Sequence, residues 1–188
     1  LMESCPKGSM CAVLNTDLDV ISKICRRVEQ ETNNIVSPAN LNSPKQIVIS
    51  GTNDGVELAI KYLKDSGHKK CIKLNVSVAS HSKVMNNTIA EFEKELDKIN
   101  FSMPNCDIIQ NVNNRGPKNI DDLKKNLLNQ LIYPVQWSNT MKSISNYNGI
   151  IIECGPNKVL SGIAKSNNIN NVYSTSSKTF MEDIMSVL

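Results

Sequence analysis

The stretch Asn40-Leu41-Asn42-Ser43-Pro44-Lys45-Gln46-Ile47-Val48-Ile49-Ser50-Gly51 decides how the first half of this chain folds. Ser43-Pro44 is a turn signal, 46–50 an apolar strand, and Gly51 its end. Just before it, Ile35-Val36 opens another extended segment, which Ser37-Pro38 breaks. Further upstream, 10–14 is a short apolar run. Asp17 then caps a helix in which Leu18, Ile21, Ile24, Cys25 and Val28 recur at helical spacing. Downstream, Asn53 or Asp54 begins a second helix, with Val56, Ala59, Ile60 and Leu63 on one face and Gly67 as its close. A fourth strand is expected over 71–76. The order strand–helix–strand–strand–helix–strand is the ferredoxin-like arrangement, two helices on one face of an antiparallel sheet.

After His81 the rhythm changes. A long helix over about 82–98 places Met85, Ile89, Phe92, Leu96 and Ile99 on one stripe. The segment 106–112 reads as a buried strand. A helix near 119–132 should bury Ile120, Leu123, Leu127 and Leu131, and a shorter one follows Trp137. The run Gly149-Ile150-Ile151-Ile152-Glu153-Cys154 has the continuous apolar character of a strand covered on both faces. Helices near 157–165 and 177–187 flank a last strand around 170–174. The second half is therefore α/β, with too few strands for a complete parallel sheet.

Composition narrows the function classes. The 188 residues carry 21 Lys+Arg against 18 Asp+Glu, a net charge of +3, with 4% aromatics. That balance excludes a dedicated nucleic-acid binder, which needs a basic surface and rings for stacking. No apolar run approaches the roughly 20 residues of a membrane-spanning helix. The six cysteines, at 5, 11, 25, 71, 106 and 154, form no CxxC knuckle, and two histidines offer little to a metal. Cys11, Cys25, Cys71 and Cys154 lie in apolar stretches, where a reduced thiol packs as a small hydrophobe. Asparagine is abundant, with pairs at 33–34, 86–87, 113–114, 167–168 and 170–171, a bias of the kind a codon-skewed genome produces.

Two histidines and one loop are the candidates for chemistry. His81, in Val76-Ser77-Val78-Ala79-Ser80-His81-Ser82, stands between a strand and a helix, the edge at which ligands gather in α/β proteins. A capping role is the plainer alternative. His68, in Ser66-Gly67-His68-Lys69-Lys70, reads as a solvent-exposed turn residue. Gly155-Pro156-Asn157-Lys158 lacks the ending of a phosphate loop and reads as a tight turn.

Four blocks carry a family resemblance. The 40–51 stretch, Ser77-Val78-Ala79-Ser80-His81-Ser82, Asn129-Gln130-Leu131-Ile132-Tyr133-Pro134-Val135-Gln136-Trp137 and Glu153-Cys154-Gly155-Pro156-Asn157-Lys158-Val159-Leu160-Ser161-Gly162 resemble, in order, the signatures of malonyl-CoA:acyl-carrier-protein transacylases. The resemblance implies a partial α/β-hydrolase-like acyltransferase core over 77–188 with an inserted ferredoxin-like (βαββαβ) subdomain over 9–76. It implies malonyl transfer from coenzyme A to acyl carrier protein in type II fatty-acid biosynthesis by a Ser-His dyad, with malonyl-CoA as substrate and neither metal nor cofactor. In that scheme His81 is the base, a carbonyl near Gln130 orients it, and Asn42, Gln46 and Lys70 line the coenzyme A groove. The expected partners are acyl carrier protein and the coenzyme A thioester, with no nucleic acid and no membrane.

The departures are equally specific. No G-x-S-x-G occurs in these residues, and Arg26, Arg27 and Arg115 do not match the family's malonyl-pairing arginine. Ala79 stands where bacterial members usually carry proline, which leaves acyl selectivity open. The start at Leu1, followed at once by Met2-Glu3-Ser4-Cys5-Pro6, reads as a fragment. The 188 residues alone are expected to be inactive. A polyketide synthase acyltransferase domain and a non-catalytic carrier-docking module are the alternatives. The asparagine bias favours a plastid location of the apicoplast kind, with the bacterial cytoplasm as the alternative.

Overall fold

The computed structural model describes residues 5–147 and 149–187, so Leu1 to Ser4 of the expected fragment start lie outside it. Two compact units emerge, residues 1–140 and 141–188.

The first unit is built on a sheet of order β2-β3-β1-β4. Its strands are β1 (Ser9–Leu14), β2 (Val36–Ser43), β3 (Gln46–Gly51) and β4 (Cys71–Lys73). Each neighbour pair is antiparallel. Helices α1 (Leu18–Glu31) and α2 (Asn53–Asp65) bury Ile21, Ile24, Cys25, Val28, Val56, Ala59 and Leu63 against Cys11, Val13, Val36, Ile47 and Ile49. Both helices therefore cover one sheet face, and strand alternation sends Met10, Ala12, Ala39 and Val48 to a second cluster on the other. Burial of a Val, Leu or Ile side chain contributes roughly 1.5–3 kcal/mol, so this dozen-residue cluster is the main source of the unit's cohesion.

Several expectations need correction. β2 is not broken at Ser37-Pro38. It is the edge strand, where proline's missing N–H is tolerated, and it absorbs the disturbance as register shifts at Pro38/Asn40 and Leu41/Ser43. β4 stops at Lys73 instead of running to 76, leaving Ile72 on the other edge 54% exposed. Leu18 is exposed, because it precedes the face that α1 buries.

Beyond the sheet, the expected 82–98 helix is split into a 3₁₀ turn (Lys83–Thr88) and α3 (Ile89–Asp97). The Asn86-Asn87-Thr88 triplet has weak helix propensity, and the Thr88 hydroxyl donates to the Met85 carbonyl at 2.7 Å. Ile99 lies past the helix and is exposed. The expected strand at 106–112 does not form: among the described residues no partner strand lies beside it, and Ile108 and Ile109 are exposed. In α4 (Ile120–Asn129) the side chains of Ile120, Leu123 and Leu127 are only half-buried, as is Leu131 beyond its end. α5 is Trp137–Ile144.

In the second unit, β5 (Ile151–Glu153) and β6 (Val172–Ser174) pair in parallel beside α6 (Val159–Ser166) and α7 (Phe180–Met185). β5 is not covered on both faces, since Ile152 is 43% exposed. Cys71 is half-buried and packs against the core of the first unit as expected, whereas Cys154 is exposed and does not belong to the apolar packing expected of it. Glu153 is the organising residue here. Its carboxylate accepts the Leu160 and Ser161 N–H groups at 2.9 and 2.8 Å and the Ser161 hydroxyl at 2.5 Å. Burial opposes its charge, but these bonds at the start of α6 hold it below the usual carboxylate range.

The starts of α1 and α2 differ, and that difference is measurable. Thr52 caps α2 by accepting the Gly55 N–H at 3.2 Å, whereas Asp17 makes no side-chain cap bond to α1. Thr52→Ala should lower the unfolding free energy by about 1 kcal/mol in urea titration, and Asp17→Ala by far less.

Candidate active site

The segment that leads to His81 docks on the start of β1. The Gly8 N–H donates to the Ser77 carbonyl at 3.0 Å, and Lys7 bridges Val78. Gly8 is required to be small: a Cβ there would lie 2.5 Å from the Ala79 Cβ. Past Ala79 the chain reverses tightly. The Ser82 hydroxyl, buried, donates to the Ala79 carbonyl at 2.8 Å, and His81 takes φ +58. A histidine held in the left-handed region carries roughly 1–3 kcal/mol of strain, which the surrounding bonds must offset.

That turn aims His81 at the end of α4. Its Nδ1 lies 2.6 Å from the Gln130 carbonyl oxygen, and because a carbonyl can only accept, the proton sits on Nδ1. Gln130 is free to accept for a reason visible in the sequence. The residue four positions on is Pro134, which has no N–H to give to a helix-end carbonyl. Val135 then anchors the segment on β2, its N–H donating to the Ala39 carbonyl at 2.8 Å and its carbonyl accepting the Leu41 N–H at 2.9 Å.

His81 and Gln130, with Ser80, Phe92, Leu127 and Leu131, line a surface cleft of about 310 Å³. Among the described residues Nε2 makes no hydrogen bond, so its lone pair faces that cleft. Burial pulls the imidazole below its ordinary value, partly opposed by the hydrogen bond to Gln130. The result at neutral pH is an uncharged ring with Nε2 ready to take a proton. The buried thiols cannot serve as its nucleophile. Burial pushes Cys11 and Cys25 up to about 12.

The other candidates fall elsewhere. β2–β3 and β1–β3 register places Asn42 and Gln46 at the sheet end where β1 finishes, and Lys70 lies there too, its carbonyl accepting the Leu14 N–H at 2.9 Å. The segment leading to His81 docks at the opposite end of β1. His68 is not a plain exposed turn residue: it is half-buried, with Nδ1 3.2 Å from the Thr16 hydroxyl. Gly155-Pro156-Asn157-Lys158 is a bend before α6. Among the described residues no cluster of His, Cys, Asp or Glu is built to hold a metal ion. What the sequence reading missed is the polar support of α4 by Gln110, Asn113 and Asn126. The one available signal was Asn126 interrupting the leucine stripe.

His81 should titrate below 6.5 in an NMR pH series. The sign follows: as pH falls below 6.5 the unfolded chain takes the proton first, so His81 subtracts stability on the acid side and contributes nothing above it. His81→Gln should therefore flatten part of the acid limb of the stability curve.

No protein-family model matches the chain. It is 37% identical to the malonyl CoA-acyl carrier protein transacylase of Bacillus subtilis (strain 168), over 86% of this chain and 51% of that protein. The crystal structure of malonyl-CoA:acyl carrier protein transacylase (FabD) from Xanthomonas oryzae superposes with a TM-score of 0.90 at 30% identity, covering 97% of this chain and 58% of that one. A complex of the transacylase PlMCAT with AntF, a type II polyketide synthase acyl-carrier protein, superposes with a TM-score of 0.87 at 30% identity, covering 97% and 59%. The chain thus spans about half the length of the curated relatives it matches. Over that span it has their mixed α/β fold and is homologous to the malonyl CoA-acyl carrier protein transacylases.

Proposed function

We propose that this protein transfers a malonyl group from coenzyme A to acyl carrier protein in type II fatty-acid biosynthesis. The observation that carries the reading is the His81 Nδ1–Gln130 carbonyl bond, with Nε2 open to the cleft, in a chain homologous to transacylases. The AntF complex of a similar protein supports a carrier protein as the acceptor.

His81 works twice. A serine hydroxyl from outside the 188 residues attacks the thioester carbonyl while Nε2 takes its proton. Collapse of the tetrahedral intermediate breaks the C–S bond, and the imidazolium returns the proton to the departing coenzyme A thiolate. The phosphopantetheine thiol of the carrier protein then attacks the malonyl–serine ester, again giving its proton to Nε2, and the serine leaves with that proton. A carbonyl is a better orienting partner here than a carboxylate, because it fixes the ring without stabilising the imidazolium at rest.

The fold reading goes with this chemistry. Residues 9–76 are a ferredoxin-like subdomain and 77–188 part of an α/β-hydrolase-like core. Asn42, Gln46 and Lys70, gathered at one sheet end, bind the coenzyme A moiety, with the lysine pairing to phosphate. Among the described residues no helix is long and apolar enough to cross a membrane. The asparagine bias of the sequence favours a plastid location for the protein, with the bacterial cytoplasm as the alternative.

The 188 residues alone should transfer no detectable radiolabelled malonyl group from coenzyme A to carrier protein. The intact protein should transfer it, and His81→Ala should slow it about 10²–10⁴-fold. Activity of the 188 residues that survives His81→Ala would overturn both the external nucleophile and the histidine's role.

A further inference from the structure

Helix α4 buries an unexpected residue. Its leucines are half-buried, and its one buried side chain is Asn126, 5% exposed. A buried amide is costly unless its donors and acceptors are met. They are met by a segment with no regular secondary structure. Asn126 Nδ2 donates to Gln110 Oε1 at 2.7 Å, and Asn113 Nδ2 donates to Asn126 Oδ1 at 3.2 Å. Gln110 Nε2 donates in turn to the Leu123 carbonyl at 3.3 Å. The segment is itself folded back, the Asn114 N–H reaching the Gln110 carbonyl and the Gln110 N–H the Arg115 carbonyl, each at 3.1 Å.

The place of this network gives it a purpose. Asn126 lies one helical turn before Gln130, and its carbonyl accepts the Gln130 N–H at 3.0 Å. On the far side, the Gln136 N–H donates to the Asn111 carbonyl at 2.7 Å. Residues 110–113 thus grip the chain at 126 and again at 136, and Gln130 lies between the two grips. Past Gln130 the Leu131, Ile132 and Tyr133 N–H groups still donate to the Leu128 and Asn129 carbonyls, but Pro134 offers no N–H to the Gln130 carbonyl, so the ladder carries the backbone onward without bonding that oxygen.

We infer that Gln110, Asn113 and Asn126 are positioning residues for His81: the three amides hold the end of α4 so that the Gln130 carbonyl stays on Nδ1 and the reactive lone pair stays on Nε2. The inference rests on His81 being the base of the proposed reaction, but its direct readout is the ring itself. Without the grip, Gln130 retreats and the proton is free to move to Nε2, which removes the base from the cleft.

The experiment compares Asn126→Ala, Asn126→Leu and Gln110→Ala with the parent, all in the intact protein. The ¹⁵N shifts of His81 report the tautomer, and malonyl transfer is split into kcat and KM. The parent should show the Nδ1–H tautomer. The variants should show a mixture with Nε2–H, and kcat should fall roughly 10–100-fold with KM for the thioester little changed. Gln110 is half-buried, so Gln110→Ala decides the matter if the Asn126 variants fail to fold. His81 shifts and kcat both equal to the parent's would overturn the inference while leaving the reaction intact. A tautomer change in the variants, with a parent that transfers no malonyl group, would uphold the positioning and refute the reaction.

Discussion

One hydrogen bond, from His81 Nδ1 to the Gln130 carbonyl at 2.6 Å, joins residues 49 positions apart and sets what the site can do. It assigns the ring proton to Nδ1 and so leaves the lone pair on Nε2. Because its acceptor is neutral, it supports the protonated ring less than a carboxylate would, and burial then prevails in lowering the pKa. A base must be uncharged at rest and oriented in advance, and this pairing supplies both.

Much of the first unit can be understood as the delivery of those two residues to each other. β1 lies between β3 and β4 and is buried along almost its whole length. Its start receives the 77–79 segment at Gly8, and the Ser82 hydroxyl closes the turn that forces His81 into the left-handed region. From the other side, Val135 pins the chain after Gln130 onto β2. The strained turn is affordable only because its neighbours are rigid: Ala79 and Ser82 are both fully buried.

How much of this was legible in the sequence depended on how local its cause was. Up to Gly67 the elements were readable, since one-sided burial imposes a helical period on α1 and α2, while β1 and β3, buried on both faces, stand out as short continuous apolar runs. The errors in this sheet came from its two edges, where Pro38 disturbs β2 without ending it and, past Gly67, β4 stops early. Beyond His81 the signal weakened. Ile108 and Ile109 have strand-like chemistry but no neighbouring strand, and a strand is defined by its partner, which no local pattern contains. His81 was singled out by its place between a strand and a helix and Gln130 by motif resemblance, and only the tertiary fold makes them neighbours. The Gln110–Asn113–Asn126 network was not legible, because amide pairs are chosen by loop geometry and carry no period.

The central claim is that a neutral His81, held by Gln130, is the base of an acyl transfer. The pH dependence of kcat/KM for malonyl transfer by the intact protein tests it most directly. The account predicts a rise with unit slope to a plateau, with an apparent pKa below 6.5 that matches the His81 titration seen by NMR. A profile with no ionisation in that range, or one whose acid limb persists unchanged after His81→Ala, would contradict it.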